Sequence, residues 1–302
     1  MTALILLTVC MLGTALLARR GPGAPVPPAL AEGLNWWVIN VALPATILEL
    51  VPGLRFEAGL WFLVLPQWLG YLLAFLLFRW LGRRLHWSTG RVGALTLTCG
   101  LSNTAFIGYP MIEALRGAGA QSLAVVADQL GCFISLSVGG VLTAVLYAQQ
   151  RAPRLVDIAR KIVVFPPFVA LMVAVVAAAL GGWPTALLPI LHRIGQTLAP
   201  LALFSVAFSL QLQLPRGARA ALGLGLAWKL GLAPLLTCLT GSALRISEPT
   251  QAVSVLEMGM GPMLTGAILD QQYRLEPELA NAALGIGILL SFLSVPAWNL
   301  LF

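Results

Sequence analysis

The apolar positions of this chain run on without the polar face that a soluble helix or strand would show. Stretches of about 20 residues, the length a helix needs to cross a bilayer, fall at Thr2 to Ala18, Trp36 to Val51, Leu60 to Phe78, Val92 to Leu115 and Leu123 to Tyr147. Five more follow at Ile162 to Leu180, Leu187 to Leu210, Ala220 to Leu239, Ala252 to Leu269 and Ala280 to Leu301. In lipid a segment must satisfy its own backbone polar groups, so each run predicts a helix. The expected fold class is an all-α polytopic membrane protein with ten transmembrane helices.

Two of the runs are interrupted, by NTAFIGYP from Asn103 to Pro110 and by EMGMGP from Glu257 to Pro262. Proline removes a helical hydrogen bond and clashes with the carbonyl four residues back, and nearby glycines loosen the helix further. Freed backbone groups are tolerated at membrane depth only where protein or a water-filled cavity receives them, so a matched pair of broken helices points to a transport site. Pro110 and Pro262 lie 152 positions apart (262 minus 110), about half of the 302 residues. Pro44 and Pro200, in spans 2 and 7, lie 156 apart (200 minus 44). The domains expected are a first five-helix repeat over 1–150 and a second over 151–302. An odd number of spans per half makes the repeats inverted across the membrane.

Composition strengthens this reading: 59% of residues are hydrophobic and 10% charged, against about a quarter charged in soluble domains. The formal charge of +7 would suggest nucleic acid in a soluble chain, but the basic residues sit in short loops, so no nucleic-acid partner is expected. Thirteen Lys and Arg follow spans 1, 3, 5, 7 and 9, and four (Arg55, Arg116, Arg193, Arg245) follow spans 2, 4, 6 and 8. The positive-inside rule then puts the odd loops in the cytoplasm and both termini outside, in a cell inner or plasma membrane. The first run has its arginines after it and no basic residues before it, which favours a retained helix over a cleaved signal peptide. Cys10, Cys99, Cys132 and Cys238 all lie inside apolar runs without CxxC spacing and read as buried hydrophobes. No metal or other cofactor is expected.

Half-helix ends expose N–H groups with partial positive charge and carbonyls with partial negative charge, and the positive ends can hold an anion. Candidate substrate-binding residues are Asn103, Thr104, Gly108 and Pro110 at the first break and Met258, Gly259, Gly261 and Pro262 at the second. Ser102, Tyr109, Met260 and Thr265 stand beside them.

Three stretches carry a family likeness. SNTAFIGYPMIEALRG resembles the gNtgflGlP pattern of the auxin efflux carrier family, whose bacterial members are often called malonate or malate transporters, within the bile, arsenite and riboflavin transporter superfamily. LLPILHRIGQTLAPLALFSVAFSL and LEMGMGPMLTGAILDQQYRLEPELANAALGIGILLSFLSVP resemble its later helices, in the same order. The resemblance implies two inverted five-helix repeats whose discontinuous helices 4 and 9 cross in a mobile core beside a scaffold. It also implies a secondary carrier of small organic anions, mono- or dicarboxylates or auxin-like indole acids, that moves them by an elevator motion. Ala105 and Ala207 stand where the family commonly has glycine.

Ionisable residues inside spans are costly and mark function. Lys229 lies ten positions beyond Arg219, about 15 Å of helix rise, near mid-membrane. Asp128 lies inside span 5. In the related sodium–proton antiporters an aspartate on the matching helix pairs with a lysine, so Asp128 and Lys229 are expected to pair beside the crossing. Glu257, at the second break, is the favoured proton carrier. Glu113, with Arg116 one helical turn on, reads as a solvated pair, Glu49 as an outer surface residue, and His86 and His192 as isolated histidines. A sodium-coupled bile-acid-type symporter or a sodium–proton antiporter is the alternative, although Asp128 is followed by Gln129 where antiporters carry a second carboxylate. No HExxH, GxSxG or paired catalytic aspartates occur, so no enzyme is expected. Partners expected are the anion and the bilayer, with homodimer formation left open.

Overall fold

The structure, a computed structural model, describes residues 28–54, 58–148, 155–209 and 217–302. The first expected span with Cys10, Arg19 and Arg20, together with Arg55, Arg151, Arg154 and Arg216, lies outside the described residues. Helices account for the regular structure, and among the described residues no strand forms. The segments are α1 (Glu32–Gly53), α2 (Ala58–Arg84), α3 (Thr89–Cys99), α4 (Tyr109–Arg116), α5 (Ala118–Ala148), α6 (Leu155–Val163), α7 (Pro166–Ala179), α8 (Leu188–Ala207), α9 (Arg219–Ala243), α10 (Glu248–Met258), α11 (Leu264–Tyr273) and α12 (Pro277–Asn299). Six of them, α1, α2, α5, α8, α9 and α12, are long and apolar enough to cross a membrane. The chain is therefore a multi-pass membrane protein.

The differences from the expected spans have local causes. Span 6 starts later, because Pro166 and Pro167 force Phe165 into an extended conformation (φ −67°, ψ 120°) and separate α7 from α6. Its 14 helical residues rise about 21 Å. Spans 4 and 9 are each split, into α3 and α4 and into α10 and α11.

At three positions a proline is accommodated by widening a helical turn, whereas Pro66 and Pro296 lie within regular α-helix. Wide π turns at Val38–Ala42, Thr104–Gly108 and Trp228–Leu232 each end two residues before a proline, Pro44, Pro110 and Pro234. Such adjustments let a membrane helix absorb the missing N–H. At Pro234 the orphaned acceptor is visible: the Leu230 carbonyl, four residues back, receives the indole N–H of Trp298 at 2.9 Å. Pro110 is thus not a helix breaker. The break in span 4 lies upstream, at Gly100 to Asn103, between the end of α3 and the Thr104–Gly108 turn.

A local repeat emerges at a spacing the prolines did not show. Helices α3 and α10 have 11 residues each and begin after Ser88 and Ser247, 159 positions apart (247 minus 88). The preceding helices end alike, with His86 and Arg245 at φ 54° and 53°, and with Trp87 N donating to Gly82 O and Ile246 N to Gly241 O. These are Schellman-type ends, in which a basic residue occupies the left-handed position near the negative end of the dipole. On this spacing the counterpart of Pro262 is Asn103.

The described residues divide into two compact units. The first draws on residues within Met1–Glu57, Ala105–Val125 and Arg160–Leu210, with α1 packed on α7 and α8. Indole N–H groups stitch it: Trp183 donates to the Leu48 carbonyl (2.7 Å) and Trp37 to the Thr197 hydroxyl (3.0 Å). The second draws on Ala58–Thr104, Val126–Ala159 and Gln211–Phe302. There α3 packs against α2, α9, α11 and α12 around a core that includes Phe78, Leu95, Cys99, Leu279 and Ala282. Small residues let backbones approach, the usual basis of association between membrane helices. A Cβ on Gly266 would collide with the Leu97 carbonyl, and one on Gly287 with the ring of Pro262.

Candidate functional site

Within the second unit the two breaks meet backbone to backbone. Asn103 N donates to Gly261 O at 2.9 Å, Met263 N donates to Thr98 O at 3.2 Å, and Ser102 and Pro262 form an isolated antiparallel bridge. Each break thus supplies partners for the polar groups the other frees, which is the condition for irregular backbone at membrane depth. Four half-helix ends surround this contact: the C-termini of α3 and α10, the N-terminus of α11, and the start of the helical segment at Thr104.

Charge is placed to match these ends. The Lys229 ammonium, fully buried, donates to the Ser102 hydroxyl and to the carbonyl of Met258, the last residue of α10, at 2.9 Å. A cation at a helix C-terminus complements the negative end of the dipole. Asp128 sits at the opposite pole. Its carboxylate accepts from the Thr104 hydroxyl, at the start of the helical segment, and from the Gln129 amide at 2.7 Å. The Cys132 thiol donates to the Ser102 carbonyl at 3.1 Å. One lysine therefore holds both breaks at once, through Ser102 in the first and Met258 in the second.

Glu257 has a different character. It is fully buried, and neither carboxylate oxygen has a hydrogen-bond partner. A buried carboxylate without hydrogen bonds is expensive.

Of the residues singled out in the sequence, Asn103, Thr104, Met258, Gly259, Gly261, Pro262, Asp128, Lys229 and Glu257 all belong to this unit, and all are buried. Gly108 and Pro110 belong to the first unit. There Pro110 lines a cavity of about 330 Å3 with Glu49, Glu113 and His192. His192 Nδ1 lies 2.7 Å from Glu49 Oε1, so His192 is not the isolated histidine the sequence suggested; Glu113 is exposed, as a solvated residue should be, and accepts from Gln121 at 3.0 Å. Among the described residues no cluster of His, Cys, Asp and Glu could hold a metal. Sequence reasoning named Gln129 only as standing where antiporters carry a second carboxylate, and Cys132, one helical turn beyond Asp128, only as a buried hydrophobe. It also left Ser102 as a bystander, although Ser102 directly precedes Asn103.

Comparison with known proteins identifies the family. The model of the membrane transport protein family matches residues 1–299. An uncharacterized transporter of Methanothermobacter thermautotrophicus is 26% identical over 284 residues, covering 89% of this chain and 88% of the relative. A second uncharacterized transporter, from Methanocaldococcus jannaschii, is 24% identical over 285 residues, covering 89% of each. A multi-pass chain with two broken helices joined at their breaks, matched over nearly its full length, belongs to the membrane transport protein family, that of the auxin efflux carriers.

Proposed function

We propose that this transporter is a secondary active carrier of small organic anions, mono- or dicarboxylates or auxin-like indole acids, coupled to protons through Glu257. The observation that carries the reading is the meeting of the two breaks under a single buried lysine. It leaves the positive half-helix ends at Thr104 and Leu264 close to an irregular backbone, the arrangement with which transporters hold anionic groups. Asn103 supplies an amide to orient a carboxylate, and Thr104, whose hydroxyl proton is held by Asp128, offers its place at the helical start. Glu257 takes up the proton.

The same reading places the chain in a cell inner or plasma membrane with both termini outside, as the loop charges favour. It has ten helices in two inverted repeats, of which the matched local structure around α3 and α10 is one trace. Two compact units, each built from both halves of the sequence, suit an elevator-type cycle. Homodimer formation belongs to the proposal as well.

One observation favours a second reading. Two partnerless carboxylate oxygens on Glu257 would serve a sodium ion as well as a proton, as in a bile-acid-type symporter or a sodium–proton antiporter. Binding of a panel of carboxylates and indole acids to the purified protein, across pH and with or without sodium, decides between them. Anion binding that strengthens at low pH without sodium supports the proton-coupled carrier. A strict sodium requirement moves the assignment to the symporter, and binding of neutral or cationic compounds alone overturns the anion reading.

A further inference from the structure

The second unit holds a cavity of about 180 Å3 that the transport reading leaves unused. Leu65 and Leu69 of α2 form one wall, Trp228 and Thr237 of α9 the other, and Met258 lines it too. Both walls belong to helices long and apolar enough to cross the membrane. Leu65 and Leu69 are 39% and 47% exposed, whereas Trp228 and Met258 are 5% and 2% exposed. The groove therefore runs from a leucine surface, which meets hydrocarbon in a bilayer, inward to a buried indole and thioether. An apolar void leaves its lining without contact partners, and water does not fill it. In a membrane the apolar filler at hand is lipid.

We propose that the groove between α2 and α9 holds an acyl chain of a bilayer phospholipid, seated against Trp228 and Met258. The exposed leucines at its mouth continue the lipid-facing surface of both helices, so the chain enters from the surrounding leaflet. Its placement matters for the site: Trp228 directly precedes Lys229, and the Met258 carbonyl is the one the Lys229 ammonium holds. The Met258 side chain also rests on Gly70 of α2. A lipid chain in this groove packs against the immediate neighbours of the buried cation, and it does so whatever the transported substrate is.

Tryptophan quenching by phospholipids brominated along the acyl chain tests this in reconstituted full-length protein. The Trp228 contribution is the difference in emission between the wild type and Trp228→Phe. In brominated vesicles that contribution should lose most of its intensity, and filling the groove by Thr237→Phe, or by the milder Thr237→Leu, should restore it. Trp228 emission that is not quenched overturns the proposal, because the groove is then closed or covered by a second copy of the chain. Quenching that persists in both folded groove-filling variants also overturns it, since bulk lipid outside the groove then suffices.

Discussion

Replacing Lys229 by methionine removes the ammonium while keeping a side chain of similar reach, and it tests whether one cation holds the two breaks together. The wild-type ammonium makes two hydrogen bonds, to Ser102 Oγ and Met258 O, each worth about 1.5–3 kcal/mol for a charged donor. Against that loss, methionine removes the cost of burying an ammonium, which is several kcal/mol. The acceptors stay behind, however, and an unsatisfied buried group costs about 1–3 kcal/mol. Ser102 Oγ already lies 3.5 Å from Met258 O and can close to a full bond, which offsets part of that cost. A net loss of about 1–3 kcal/mol remains, roughly 2–6 °C in unfolding midpoint for a chain of this general size. Thermal unfolding of the wild type, Lys229→Met, Ser102→Ala and the double variant in one detergent gives the pair energy directly. Contacting residues should couple by about 0.5–3 kcal/mol. A methionine variant at least as stable as the wild type, with no coupling to Ser102, would refute the clamp and show that desolvation outweighs its hydrogen bonds.

Other outcomes follow from the same geometry. Glu257→Gln should keep anion binding but abolish the stimulation of uptake by an inward proton gradient, read as uptake rates in proteoliposomes at several external pH values. Lys229→Ala should depress transport and alter its pH profile; an unchanged profile would remove Lys229 from the cycle. Gly266→Ala drives a Cβ into the Leu97 carbonyl, a backbone atom that cannot step aside, and should cost at least about 1–3 kcal/mol as overpacking does, seen as a lowered unfolding midpoint. Trp298→Phe should cost about 1–2 kcal/mol by orphaning the Leu230 carbonyl; adding Pro234→Ala, which restores a helical N–H to that carbonyl, should recover most of the loss in the same unfolding assay.

The spans were readable because lipid permits so few backbone solutions, and long apolar runs therefore mean helices wherever they occur. The ends were less readable. Pro110 looked like a breaker because proline removes a donor, but a wide turn absorbs that loss, and the chain breaks instead at Gly100 to Asn103, where no proline stands. Pro262, by contrast, does lie in its break. The difference is tertiary: Gly261 O and Thr98 O are satisfied only across the contact between the breaks, which no local pattern encodes. Lys229 was recognised by its depth, but its partners, a serine hydroxyl and a helix-terminal carbonyl, depend on how α9 packs beside α10. Glu49, Glu113 and His192 lie far apart in sequence, and only folding brings them to one cavity.

The wide turn from Ala127 to Cys132, like that from Leu136 to Gly140 in the same helix, is not tied to a proline, and that frees it in a way the three proline-linked turns are not. An α-helix turns about 100° per residue, so sliding such a turn by one position swings the side chains it passes through that angle while both helix ends stay where they are. Asp128 sits inside this turn, facing the Thr104 hydroxyl. Its carboxylate can thus be re-aimed like a pointer on a fixed shaft, without any lengthening of α5.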